Sequence, residues 1–127
     1  MALERIFIDA SVVFDVAFWR NKADRAAICL ANPAADFVIS PITIHLLYYF
    51  CERDNYATKQ VQAFLDEFEV APLTQAMVRV AQNRYPGRDF EDCLQAACAE
   101  AAGCDKIVTA DTNFKRDSGT RLPVIVL

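Results

Sequence analysis

Histidine occurs once in these 127 residues, at His45, and the five cysteines (Cys29, Cys51, Cys93, Cys98 and Cys104) form no C-x-x-C pair. A structural zinc site needs closely spaced thiolates and imidazoles, so none is expected. The cysteines lie mostly in apolar stretches and read as small buried hydrophobes kept reduced. Only three glycines and five prolines are present, and they are scattered. No linker, low-complexity tract or internal repeat results, and the chain reads as a single domain over residues 1–127, long enough to bury a sizeable core. The longest apolar run, Phe37 to Cys51, is too short and too interrupted to span a bilayer. The opening "MALERIFIDAS" carries charges where a signal peptide needs its apolar stretch. A cytoplasmic, membrane-free protein is the expectation. Positive charge is also scarce, with 13 Lys and Arg against 17 Asp and Glu, a net charge of −4. That excludes a nucleic-acid binder that works by bulk charge, but not one with a local basic rim.

What the chain does hold is apolar sequence, 54% of it, in two alternating kinds. "RIFID", "DFVIS", "FEVAPL", "DKIVTA" and "LPVIVL" are short continuous apolar runs. Between the first four lie segments with helical spacing: "SVVFDVAFWR", "KADRAAICLA", "TIHLLYYFCER", "ATKQVQAFLDEF", "TQAMVRVAQNR" and the alanine-rich "FEDCLQAACAEAAG", which Gly103 terminates. Strands that are apolar throughout, rather than in alternation, are buried on both faces. The pattern predicts an α/β chain: a three-layer α/β/α sandwich around a parallel sheet of about five short strands. In such sheets the functional crevice lies beyond the carboxyl ends of the strands.

Acids stand at those ends. Asp9 follows "RIFI" and Asp111 follows "KIVTA". Ser40 and Thr43 follow the second strand, and Asp92 lies in the first turn of the alanine-rich helix. Each acid has a local reading: Asp9 as a helix cap, Asp92 as a complement to the helix dipole, Asp111 as the opener of the turn "ADTNF". Together they admit another. Three carboxylates on one edge repel unless a cation neutralises them, and hard oxygen donors suit Mg²⁺ or Mn²⁺. Such an ion supports chemistry on a phosphodiester. Glu91 adjoins Asp92 but is expected to point elsewhere, since a helix turns about 100° per residue. Asp89 is expected to lie in the N-cap region of that helix.

"FIDASVVFD", "DFEDCLQAACA" and "DKIVTADTNF", in that order, resemble the PIN-domain family. The resemblance spans nearly the whole chain. It implies a PIN-like domain acting as a Mg²⁺- or Mn²⁺-dependent ribonuclease on RNA, often a homodimeric toxin held inactive by a small antitoxin protein. It makes Asp9, Asp92 and Asp111 the catalytic and metal-holding acids, with Ser11, Thr109 and Asn113 in support; Thr43, after the second strand, is a further supporting candidate by its position. The chain departs from the family on the helix after the second strand, where most nuclease members carry an acid and this one reads "ITIHLLYYF". His45 is open to three readings there: a ligand or base in place of the acid, a polar residue at the site edge, or a core histidine. Glu52, two turns on, is a poor replacement. The departure motivates an alternative, a non-catalytic PIN-like module that binds RNA or protein.

Among the cations, Lys115 and Arg116 follow Asp111 closely and are the candidates for contacting RNA phosphate. The other basic residues, Arg20, Lys22 and Arg25 among them, read as solvated surface. Phe18 and Trp19 read as structural, Tyr48, Tyr49 and Phe50 as core and interface, and the helices around Tyr48 to Phe64 as the surface for a second copy. Two phosphotransfer classes of similar architecture fit poorly. A response-regulator receiver wants an aspartate after its third strand, where this chain has Ala71-Pro72. A D-x-D phosphatase wants an acid where Ser11 stands.

Overall fold

The computed structural model describes residues 3–127. Strand β1 (Glu4–Ile8) is followed by helices α1 (Ala10–Ala17) and α2 (Ala23–Leu30), strand β2 (Ala35–Ile39), helices α3 (Pro41–Asp54) and α4 (Thr58–Leu65), and the two-residue strand β3 (Glu69–Val70). Helices α5 (Gln75–Arg84) and α6 (Phe90–Ala101) lead to strand β4 (Lys106–Thr109), helix α7 (Phe114–Ser118) and strand β5 (Val124–Val126). The strands pair in the order β3-β2-β1-β4-β5, and each pair is parallel. The predicted sandwich is therefore present, with one element the sequence reading lacked, α7.

Side chains divide between the two faces as the pleat requires. Ile6 and Ile8 of β1, Ile39 of β2 and Val108 of β4 join a core with Val12, Val13 and Leu47 from α1 and α3. Phe7, Val38 and Ile107, their chain neighbours, join a second core with Ala96, Cys98 and Ala99 from α6 and Phe114 from α7. At the centre of the sheet both faces are covered, which is why β1, β2 and β4 are apolar and buried toward their carboxyl ends. Cys51, Cys93, Cys98 and Cys104 are buried free thiols and Cys29 is half-buried, as expected of small hydrophobes.

Local chemistry sets the element ends. Pro41 occupies the first turn of α3, where its missing N–H costs nothing, and Ser40 caps the helix by accepting from Thr43 N. The proline that ends the strand thus also starts the helix. Asn55 closes α3 in the left-handed conformation. Helix α1 stops at Ala17, three residues earlier than its apolar spacing predicts. Trp19, expected to be structural, is 65% exposed beyond that end. Tyr48 and Phe50 do pack on the first core, whereas Tyr49 is exposed. No helix among the described residues is long and apolar enough to cross a membrane.

Candidate functional site

The strand order reverses at β1, with β2 on one side and β4 on the other, so a crevice opens at the carboxyl ends of β1 and β4. Ile8 pairs with Val108, which brings Asp9 and Thr109 out side by side. Asp9 is only 5% exposed. Its Oδ2 accepts from Ser11 Oγ at 2.8 Å and from Thr109 Oγ1 at 2.9 Å. Those hydroxyls in turn accept from the backbone N–H groups of Ala110 (3.0 Å) and Asp111 (3.1 Å). Each hydroxyl has one proton, and both protons go to Asp9, so the 3.4 Å approach of Ser11 Oγ to Thr109 Oγ1 is a contact and not a further bond. Burial raises the Asp9 carboxyl above the usual range while the two hydroxyls, and then the backbone N–H groups of Ala10 and Ser11, pull it back. Asp9 stands at the N-cap of α1, but its side chain does not cap that helix. Its local reading as a cap therefore fails.

Asp92 arrives from the opposite layer. Asp89 caps α6 and accepts from Asp92 N at 2.9 Å, which fixes the first turn. The Asp92 carboxyl is pushed up to about 8, first by burial and then by the charges of Asp9, Asp89, Asp111 and Glu91. Asp111 accepts from Asn113 N at 2.8 Å through Oδ1, so it does open the turn. One carboxylate oxygen each from Asp92, Asp111 and a third acid, Asp117, lies within 4.8 Å of the others, and all three residues are half-buried. Sequence reasoning missed Asp117. It sits on α7, whose five residues are too few to show a period. The short helix is clipped to α6, since Asp117 O accepts from Asp89 N at 3.1 Å and from Cys93 Sγ at 3.5 Å. Glu91, expected to point elsewhere, is not one of that cluster. The residue is exposed, yet its carboxyl is raised by burial and then by the charges of Asp9 and Asp89. It belongs to the same negative field.

The PIN-domain sequence profile matches residues 6–118. The chain belongs to the PIN-domain family. Solved structures agree on the fold. A toxin–antitoxin complex from Klebsiella pneumoniae superposes with a TM-score of 0.73 at 16% identity, covering 95% of this chain and 96% of that one. FitAcB from Neisseria gonorrhoeae gives 0.69 at 18% identity, covering 94% and 96%. VapBC2 from Rickettsia felis, bound to a DNA fragment from its promoter, gives 0.63 at 18% identity, covering 94% and 98%. No curated protein matches the sequence.

In this PIN domain the remaining candidates separate by their surroundings. Thr43 is wholly buried and touches α6, where Gln95 Nε2 donates to its Oγ1 at 2.9 Å. The Oε1 of the same Gln95 accepts from Ser40 Oγ. Thr43 thus braces the helix that carries Asp92. His45, two residues further along α3, is exposed, as a rotation of about 200° from a buried position requires. The core reading of His45 is overturned. The turn after Thr43 offers apolar Leu46 and Leu47, the latter fully buried, and Glu52 is exposed. Asn113 is exposed at the N-cap of α7 and its side chain makes no capping bond. Lys115 and Arg116 are exposed but engaged with their own chain. Lys115 Nζ donates to Leu122 O at 2.9 Å, and Arg116 Nε pairs with Asp117 Oδ1 at 3.0 Å.

Proposed function

We propose that this PIN domain is a metal-dependent endoribonuclease that cleaves single-stranded RNA. The observation that carries the reading is the convergence of Asp92, Asp111 and Asp117 in the field of Asp9 and Glu91. So much like charge in a half-buried crevice is unfavourable unless protons or a cation neutralise it. The donors fit a hard dication such as Mg²⁺ or Mn²⁺: all are carboxylate oxygens, they come from different elements, and partial exposure leaves room for water and a phosphate. Asp92, Asp111 and Asp117 would hold the ion. Asp9 would join them through Oδ1, since both hydroxyl bonds fall on Oδ2. When bound, the ion supplies charge stabilisation to a phosphodiester and a more acidic water. Ser11 and Thr109 orient Asp9, and Asp89 orients Asp92. On this reading Asp117 makes good the acid that α3 lacks.

The similar structures named as toxin–antitoxin complexes support a toxin role, with a small antitoxin protein as partner in the cytoplasm. Exposed Tyr49 and Tyr56, near the ends of α3 and α4, suit a homodimer surface. One observation favours the alternative of a non-catalytic RNA- or protein-binding module: the turn of α3 after Thr43 carries Leu46 and Leu47, packed in the first core, and no acid. Calorimetric titration with Mg²⁺ and Mn²⁺, paired with cleavage of mixed RNA, separates the two. The nuclease reading expects binding and cleavage in the wild type and loss of both in Asp92→Asn and Asp111→Asn. RNA binding that survives chelation, with no cleavage in any metal, would establish the alternative.

A further inference from the structure

A second cleft, about 310 Å³, adjoins the acids and shares Ser11 and Asp111 with them. Its other walls come from Asp15 and from the turn of Arg20, Asn21 and Lys22 between α1 and α2. From their sequence context these cations are expected to be solvated surface. The structure holds them in place. Asp15 is an acid, yet it is only 3% exposed. It binds the turn from below: Asp15 O accepts from Arg20 N at 2.9 Å, Asp15 Oδ1 lies 3.5 Å from Arg20 Nε, and Asp15 Oδ2 accepts from Lys22 N at 3.4 Å. The Arg20 guanidinium also lies over the Phe14 and Phe18 rings, 5.8 and 5.9 Å from their centroids. Its terminal nitrogens have no protein hydrogen-bond partner among the described residues. Lys22 Nζ contacts Leu127 O and, at 3.4 Å, Ala110 O, which sets its charge beside Asp111.

The turn is also strained. Trp19 and Asn21 both have positive φ, 48° and 47°, a conformation that a bulky aromatic rarely adopts. It leaves Trp19, the only tryptophan in the chain, 65% exposed next to Arg20. A buried acid spent on anchoring two cations and an outward-facing indole at the rim of a carboxylate site is hard to explain by stability. A single strand presents a phosphate and an unstacked base together, and those are the groups these side chains recognise.

We propose that the Trp19–Lys22 turn is the strand-binding wall of the site: Arg20 and Lys22 hold the RNA phosphate that flanks the scissile bond, and Trp19 stacks on the adjoining base. This rests on the nuclease reading for the identity of the strand. It places the phosphate contact on the turn beside Asp111 in preference to Lys115 and Arg116.

The lone indole reports on the idea directly. A short fluorescein-labelled oligoribonucleotide is titrated into the full chain carrying Asp92→Asn, so that the strand is not consumed, with Mg²⁺ present. Anisotropy reads binding and tryptophan emission reads stacking. Emission should be quenched in step with binding. Trp19→Ala should weaken binding about tenfold, with recovery in Trp19→Phe. Arg20→Gln and Lys22→Gln should each lower the slope of log K against log salt by about 0.7. Arg20 also neutralises Asp15, so thermal melting accompanies each variant, and Lys22→Gln serves if Arg20→Gln unfolds. Binding without quenching, or an unchanged slope in a folded Lys22→Gln, overturns the proposal. So does quenching by a protein partner and not by RNA. Wild-type cleavage is followed separately. Quenching without any cleavage would leave the wall standing and remove the nuclease reading, whereas cleavage without quenching would do the reverse.

Discussion

Thr109 donates a hydrogen bond to Asp9 across 2.9 Å although the two residues stand a hundred positions apart in the chain. The bond exists because β1 and β4 are adjacent parallel strands that end together. It gives a buried carboxylate one of its two side-chain donors. Thr109→Val keeps the shape and removes the donor. We expect a loss of about 1–3 kcal/mol at neutral pH, read as a lower urea midpoint, because the buried Asp9 carboxyl then loses one of its two hydroxyl donors. Thr109→Ser should restore most of the loss. An unchanged midpoint in Thr109→Val would remove the hydroxyl from the account of the site.

Asp92 predicts how stability varies with pH. Unfolded, its carboxyl titrates near the ordinary 3.8; folded, at about 8. Between those values the folded state holds the extra proton, so stability falls as pH rises through that window and levels off above it. Asp9 is shifted in the same direction and adds to the slope. In chelator, Asp92→Asn should flatten the melting temperature between pH 5 and 8 (to within a few degrees) while the wild type declines. A wild-type profile as flat as that of Asp92→Asn would refute the shift.

The same proton competes with a cation. A metal needs its carboxylates ionised, so Mn²⁺ should raise the melting temperature more at pH 8.5 than at pH 6. Differential scanning fluorimetry at fixed Mn²⁺ tests this. Equal stabilisation at both pH values would mean that the ion binds elsewhere.

Asp117 and His45 make opposite predictions. Asp117→Asn should weaken Mn²⁺ binding by about tenfold, roughly one lost charge-assisted ligand. His45→Glu should leave affinity unchanged, because His45 lies on the exposed side of α3. Calorimetry decides between them. Tighter binding in His45→Glu would put that position at the site after all and would make Asp117 a bystander.

Gln95 tests whether the buried polar layer behind Asp92 is structural. Gln95→Leu strands the Ser40 and Thr43 hydroxyls, both fully buried, and should cost roughly 2 kcal/mol or more in chemical denaturation. The double variant Gln95→Leu/Thr43→Val should recover part of that, since removing both partners costs less than orphaning one. A double variant no better than the single would show that water replaces the lost bonds.

Much of this was readable along the chain. Continuous apolar runs such as "RIFI" and "KIVT" mark strands buried on both sides, and the helices between them require parallel crossovers, so the sandwich and its working edge follow from one-dimensional pattern. Asp9, Asp92 and Asp111 were visible because each sits where an element begins or ends, and an element end is a local property. The Asp89 cap was legible for the same reason. The phase of α3 was not. Whether His45 or Thr43 faces inward depends on which layer covers that helix, and both sit in an apolar stretch.

The sequence by itself determined the class of fold, the edge at which acids gather and three of the acids, because hydrophobic period and capping act between residues close in the chain. Only the tertiary structure decided that Asp117 joins them, that Glu91 shares their field, that His45 does not pack in the core, and that Asp15 holds Arg20 and Lys22 beside Asp111. Those outcomes depend on the register of β1 on β4 and on α7 docking against α6. Electrostatics acts through space, over a few ångströms, whatever the separation in sequence.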